Sequence, residues 1–143
     1  MIVLDSYAVL ALLRDEPAAA EVQDLIESGD AVALTALGVA ETLDRLVRLG
    51  GADPEEAALD VAQLGLGEPI AVDGDLAMRA GLLRARHYRR TSRAVSLADC
   101  VAAAAAADLR WSLATADPHL LDMCDAERVA VIALPDGRGR RHR

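Results

Sequence analysis

The chain has no lysine and no phenylalanine, and aromatic residues make up only 2% of its 143 residues. Since 53% of the residues are nevertheless apolar, the core must be built from Ala, Val, Leu and Ile. No apolar run approaches the roughly 20 residues that a membrane-spanning helix needs. No basic segment with an apolar signal core precedes the first apolar run. We therefore expect one domain with its own core and no membrane association.

Cysteine is also scarce, and the two cysteines present, Cys100 and Cys124, form neither a disulfide framework nor a zinc-binding pattern. The simplest interpretation is a reduced, cytoplasmic protein. The formal net charge of −8 argues against a general affinity for phosphate backbones. All basic residues are arginines, which bind phosphate with two parallel hydrogen bonds, and they cluster in residues 84–93 and 138–143.

The first arginine cluster is equally well explained by phosphate binding or by a solvated helix end. For the second cluster a solvated tail is the simpler explanation. The sequence therefore predicts a single domain over residues 1–135 and a basic, disordered tail over residues 136–143.

Apolar runs that predict strands alternate along the chain with amphipathic stretches that predict helices. The strands are expected at residues 1–4, 31–34, 69–72, 111–115 and 129–134. The helices are expected at residues 7–13, 17–28, 36–49, 54–64, 73–88 and 97–109. Strands separated by helices imply an α/β domain whose mostly parallel sheet is covered on both faces.

Two of the predicted strands are followed by an acid. Asp5 comes directly after the run Met1–Leu4, and Asp117 follows the run that ends at Thr115. In open α/β sheets, ligands bind at the carboxyl ends of the strands. The sequence therefore places both carboxylates where a ligand would bind.

Two further acids are each open to two interpretations. Asp99 lies at the start of an apolar helix, where it could form a capping box with Ser96 or face a functional site, and the two roles can coexist. Glu41 lies opposite an apolar stripe of Val39, Leu43, Leu46 and Val47. It could form a solvated i,i+4 pair with Arg45, or its polar face could line a cleft whose arginines hold phosphates.

If the four acids converge, some would take up protons unless a cation neutralised them. A ligand set of oxygens without His or Cys suits Mg²⁺ or Mn²⁺. Such an ion can lower the pKa of a water and neutralise charge that develops on a phosphate.

Together these segments resemble a PIN domain, and more narrowly a VapC-type toxin ribonuclease of a type II toxin–antitoxin system. The matching segments are Ile2–Leu10, Ala40-Glu41 with Leu43–Leu46, Ser96–Asp99 and Leu113–Asp117. Two positions depart from the pattern: Gly38 stands where many relatives carry Asn, and Pro118-His119-Leu120 replaces a basic residue and an aromatic.

The resemblance implies an acidic quartet of Asp5, Glu41, Asp99 and Asp117 that holds one or two Mg²⁺ or Mn²⁺ ions, with Ser6 and Thr115 in support. It also implies a three-layer α/β/α sandwich with a five-stranded sheet, a homodimer, and a VapB-like antitoxin partner. The implied reaction is metal-assisted hydrolysis of RNA phosphodiesters. The candidate RNA contacts are Arg45, Arg48, Arg86, Arg89 and Arg90.

Two other functions are consistent with the sequence. One is a non-catalytic PIN-like module for protein contacts. The other is a haloacid-dehalogenase-like phosphotransferase with Asp5 as nucleophile; against it, Val9 occupies the position of the usual threonine, and the chain has no lysine.

Overall fold

Four parallel strands form one sheet in the computed structural model, which describes residues 1–142. The strands are β1 (Ile2–Leu4), β2 (Val32–Ala33), β3 (Ser112–Thr115) and β4 (Val131–Ala133), in the spatial order β2-β1-β3-β4. The helices are α1 (Ser6–Leu13), α2 (Ala19–Glu27), α3 (Ala36–Asp44), α4 (Pro54–Ala62), α5 (Gly74–His87), α6 (Leu97–Leu109) and α7 (Pro118–Ala126). A π-helical turn, Arg45–Leu49, continues α3. The predicted α/β class with a parallel sheet is confirmed.

The prediction of a fifth strand at residues 69–72 is wrong for the part of the chain that the structure describes. That segment meets the sheet edge at one point, where Thr35 and Ile70 form an isolated parallel bridge. Ile70 donates to the carbonyl of Leu34 at 2.9 Å, and its own carbonyl accepts from Ala36 at 2.8 Å. Pro69 has no N–H to donate, and α3 begins directly after Thr35, so the pairing cannot extend.

Helices cover both faces of the sheet because the strand residues point alternately to opposite sides. Val3 and Leu113 face the side covered by α5, α6 and α7. Ile2, Leu4 and Ala114 face the side covered by α1 and α2. The core residues are aliphatic, as the composition predicts. No helix within residues 1–142 is long and apolar enough to cross a bilayer.

Local sequence signals fix where most helices begin. Asp53 accepts hydrogen bonds from the first-turn amides of α4, and Asp73 accepts one from Leu76 at 2.8 Å in α5. Helix α7 was not among the predicted helices. Its signals are Asp117 at the N-cap and Pro118 at the first helical position.

The segment after β4, residues 135–142, is called the C-terminal segment below. Tyr7 donates from its hydroxyl to the carbonyl of Pro135 at 2.9 Å. Arg141 donates to the carbonyl of Ala133 at 2.6 Å and forms an ion pair with Glu21. These contacts hold the C-terminal segment against the carboxyl edge of the sheet. Arg143 lies outside the described residues.

Candidate active site

Asp5 and Asp117 follow the two central strands, which are direct neighbours. Leu4 of β1 pairs with Ala114 of β3, and the amide of Asp5 donates to the carbonyl of Ala114 at 3.0 Å. The chain runs from β1 to β2 on one side and from β3 to β4 on the other, so the gap between β1 and β3 is the topological switch point. Ligands bind at that point in open α/β sheets.

Asp5 is the most buried acid of the site, with 7% of its surface exposed. Burial is the main cause that raises its pKa from 3.8 to about 7, and the charges of Asp99, Glu41 and Asp117 raise it further. Thr115 lowers the pKa of Asp5, because its hydroxyl donates a hydrogen bond to Asp5 Oδ2 at 2.8 Å. Thr115 Oγ1 also accepts from the amide of Asp117 at 3.1 Å, so one hydroxyl ties the two strand-end acids together.

We expect Thr115→Val to destabilise the protein by about 1–3 kcal/mol, because it leaves a buried carboxylate without its donor. Thr115→Ser keeps the hydroxyl and is the matched control, expected to lose much less. Urea unfolding at pH 8 measures both. A Thr115→Val protein as stable as wild type would contradict the proposed contribution of the hydrogen bond.

Asp99 has both of the roles considered from sequence: it closes a capping box and it lines the site. Ser96 N donates to Asp99 Oδ2 at 2.7 Å, while Asp99 N donates to Ser96 Oγ at 3.0 Å. Burial, with a smaller contribution from the charges of Asp117 and Glu41, raises the pKa of Asp99. The cap therefore fixes the carboxylate at the start of α6 without removing it from the site.

Glu41 is partly buried, with 20% of its side chain exposed, and is not freely solvated. Ser6 donates its hydroxyl hydrogen to Glu41 Oε1, while Arg45 lies 3.9 Å from Oε2. The buried positions of α3 are Gly38 and Thr42, with Leu46 one turn later. The sequence predicted a buried stripe of Val39, Leu43, Leu46 and Val47. The observed stripe lies closer to Glu41 on the helix surface, and it was not predicted because its first two residues are small or hydrogen-bonded. Thr42 Oγ1 donates to the carbonyl of Gly38 at 2.8 Å.

All four acids line one open cavity of about 370 Å³, here called the acidic cavity. Ser6, Arg45 and Ser96 also line it, and so do four residues that sequence reasoning did not assign to the site: Tyr7, Ala94, Ala116 and Asp136. Asp136 follows the last strand, so the rule that strand ends carry ligands could have identified it.

The chemistry of the cavity fits a hard divalent cation. Its donors are carboxylate and hydroxyl oxygens, and neighbouring negative charges help to raise the pKa of Asp5 and Asp99, an effect that a cation would reverse. Within residues 1–142, no three Asp, Glu, His or Cys side chains are close enough to form a preformed metal cluster. Mg²⁺ does not need one, because it keeps several waters and takes one or two carboxylates.

Of the five candidate RNA-contact arginines, one lines the acidic cavity and four do not. Arg45 lines the acidic cavity. Arg48, in the π-helical turn that continues α3, forms an exposed ion pair with Asp44 at 2.8 Å. Arg86 pairs with Glu127 at 3.0 Å. Arg89 donates to the carbonyl of Tyr88 at 2.7 Å, and Arg90 is exposed in the turn that follows. The cavity thus brings in one of the five.

Neither cysteine is a nucleophile. Cys100 and Cys124 are fully buried in the core, and burial raises their thiol pKa to about 11 and about 12. The interpretation of Cys100 as a small core residue is confirmed.

Comparison with known proteins gives a family match and structural relatives. The PIN domain family model matches residues 2–126. No curated protein matches the chain by sequence. FitAcB from Neisseria gonorrhoeae is 25% identical with a TM-score of 0.64, over 92% of this chain and 96% of that one.

Two further solved structures share the fold at lower identity. VapBC2 from Rickettsia felis, bound to a DNA fragment from its promoter, is 15% identical with a TM-score of 0.67, over 94% of this chain and 99% of that one. VapC20 from Mycobacterium tuberculosis, a sarcin-ricin loop cleaving toxin, is 20% identical with a TM-score of 0.62, over 79% and 87%. The family match spans most of the chain and includes all four acids of the cavity, and on this evidence the chain belongs to the PIN domain family.

Proposed function

We propose that this protein is a metal-dependent endoribonuclease toxin of the VapC type. The observation that carries the proposal is the convergence of Asp5, Glu41, Asp99 and Asp117 on one open cavity at the switch point of the sheet. The PIN family match and the toxin–antitoxin proteins among the structural relatives support it.

In the proposed mechanism the four acids would hold Mg²⁺ or Mn²⁺, directly or through its waters, and the ion would supply charge neutralisation and a water of lowered pKa. Asp5 is oriented by Thr115, and Glu41 by Ser6. Asp99 is fixed by its capping box. Arg45, at the rim, can leave its long contact with Glu41 and bind the scissile phosphate.

The proposed partners are RNA, a VapB-like antitoxin and a second copy of this chain, in the cytoplasm. Structural relatives are antitoxin complexes, which favours an antitoxin here. An antitoxin that inserts an arginine into the acidic cavity would find several carboxylates there and would exclude the substrate.

Induced expression should arrest growth, and purified protein with Mg²⁺ should cut RNA to leave 5′-phosphate and 3′-hydroxyl ends. These ends follow from attack by water, in line with the leaving 3′ oxygen. Mapping the ends of cleaved RNA tests this. A 2′,3′-cyclic phosphate would indicate attack by the 2′-hydroxyl and would contradict the mechanism.

A non-catalytic PIN-like module is the second candidate. Such a module would need no acid at position 5. The chain nevertheless buries the Asp5 carboxylate, and burial disfavours its charged form and raises its pKa to about 7. Loss of growth arrest in an Asp5→Asn strain that still binds the antitoxin would exclude the module. The phosphotransferase interpretation loses its support, since the family match is to PIN domains.

A further inference from the structure

A second cavity, of about 320 Å³, adjoins the acidic cavity, and three basic side chains and one carboxylate line it. Arg140, Arg141 and His142 of the C-terminal segment line it on one side, with Ala116 and Pro118 opposite. Ala116 and Asp136 line both cavities, so the two share a wall. We call this second space the basic cavity.

The two arginines of the basic cavity are held very differently. Arg141 forms an ion pair with Glu21 and also donates to the carbonyl of Ala133, so it anchors the segment to the domain. Arg140 is 68% exposed, and its guanidinium contacts only Asp136 among the described residues, at 3.1 and 3.2 Å. An exposed ion pair of this kind contributes little to stability, because water and salt screen it. Arg140 can therefore exchange its partner at little cost.

The turn that carries Arg140 does not depend on that ion pair. Asp136 Oδ1 accepts from the amides of Arg138 at 2.8 Å and Arg140 at 2.9 Å, which closes the turn through the backbone. These bonds remain when the Arg140 side chain moves. The Arg140 guanidinium can therefore change its partner while the backbone of the turn stays in place.

We propose that the basic cavity binds a phosphodiester of the RNA next to the one that is cleaved, with Arg140 as its main ligand. This inference rests on the proposed ribonuclease function. A chain of net charge −8 with an acidic cleavage site repels RNA, so attraction must come from cations close to that site. The basic cavity lies one shared wall away, and Arg140 at its edge can supply such a cation.

The test measures RNA binding in the absence of cleavage. All variants are made in an Asp5→Asn background with EDTA, and fluorescence anisotropy with a labelled single-stranded oligoribonucleotide gives Kd over a series of KCl concentrations. Arg140→Ala should weaken binding about three- to tenfold and reduce the slope of log Kd against log salt by about 0.7, the value for one lost phosphate contact on a single strand. Arg79→Ala removes an exposed arginine that lines neither cavity and pairs with Asp108, at the opposite end of α6 from Asp99, and it should change neither Kd nor the slope.

Asp136→Asn separates phosphate binding from a structural role. The asparagine oxygen can still accept the two amide bonds, but it no longer holds Arg140. If Arg140 binds phosphate, Arg140→Ala should cost more affinity in the Asp136→Asn protein than in the parent. If Arg140 serves only to neutralise Asp136, it should cost nothing there.

Three results would overturn the inference. The first is an Arg140→Ala protein with the affinity and salt slope of Arg79→Ala. The second is the loss of the Arg140→Ala effect in the Asp136→Asn protein. The third is a background protein that does not bind RNA at all; the ribonuclease function is tested separately, by mapping the ends of RNA that the wild-type protein cleaves with Mg²⁺.

Discussion

Asp5→Asn is expected to reduce RNA cleavage on the order of a thousandfold or more while the protein stays folded. The substitution removes the charge of the acid at the centre of the proposed metal site but keeps the shape of the side chain. A bound cation contributes several kcal/mol to stabilising charge on the phosphate, and each 1.36 kcal/mol is a tenfold change in rate. Cleavage of labelled RNA at saturating Mg²⁺ measures the effect, and circular dichroism checks the fold.

Asp73→Asn is the matched control for this substitution. Both aspartates occupy the N-cap position of a helix, but Asp73 is exposed and caps α5 far from the acidic cavity. Its asparagine variant should cap equally well and cleave at the wild-type rate. Cleavage that survives both Asp5→Asn and EDTA would refute the metal-dependent mechanism.

The second large effect is on stability: Mg²⁺ or Mn²⁺ should raise the Tm far more at pH 8 than at pH 5. Asp5 has a pKa of about 7 in the folded protein and 3.8 without burial. Between these values the folded protein keeps a proton that the unfolded chain has lost, so the free energy of unfolding falls as the pH rises. The whole shift corresponds to at most about 4 kcal/mol.

Above pH 7 the metal-free protein carries this full penalty, and a divalent cation offsets it by pairing with the carboxylate. We expect the metal to raise Tm by roughly 10 °C at pH 8 and by little at pH 5. Differential scanning calorimetry with and without EDTA measures this.

The Asp5→Asn protein provides the comparison for the pH effect. Without metal it should be more stable than wild type at pH 8, and its Tm should fall less than that of wild type between pH 5 and pH 8, the remainder coming from the raised pKa of Asp99. A wild-type Tm that rises over this interval would contradict the assignment of the raised pKa to Asp5.

Sequence alone predicted the features that depend on residue type and local order. The apolar runs of β1 and β3 and the acids directly after them were enough to place Asp5 and Asp117 at a common sheet edge, and the fold class is confirmed. The capping box of Asp99 was visible because its spacing is local.

What the sequence could not give depends on three-dimensional neighbours. Glu41 looked solvated because the buried stripe beside it is made of Gly38 and Thr42, which carry no hydrophobic signal. Residues 69–72 have the composition of a strand, but whether they pair depends on how soon α3 leaves the sheet edge. The placement of Asp136 beside the acidic cavity depends on the path of the chain after β4.

The strand order also determines when the site can exist during synthesis. Strand β1 is made first, yet one of its two neighbours is β3, which is separated from it by about a hundred residues. The Thr115–Asp5 bond joins residues 110 positions apart. At about 5–20 residues per second, several seconds of synthesis pass between the addition of Asp5 and the addition of Thr115, its hydrogen-bond partner at the end of β3. The acidic cavity is thus completed only after most of the chain has been synthesised, because the nascent chain lacks one of the four acids until Asp117 has been added.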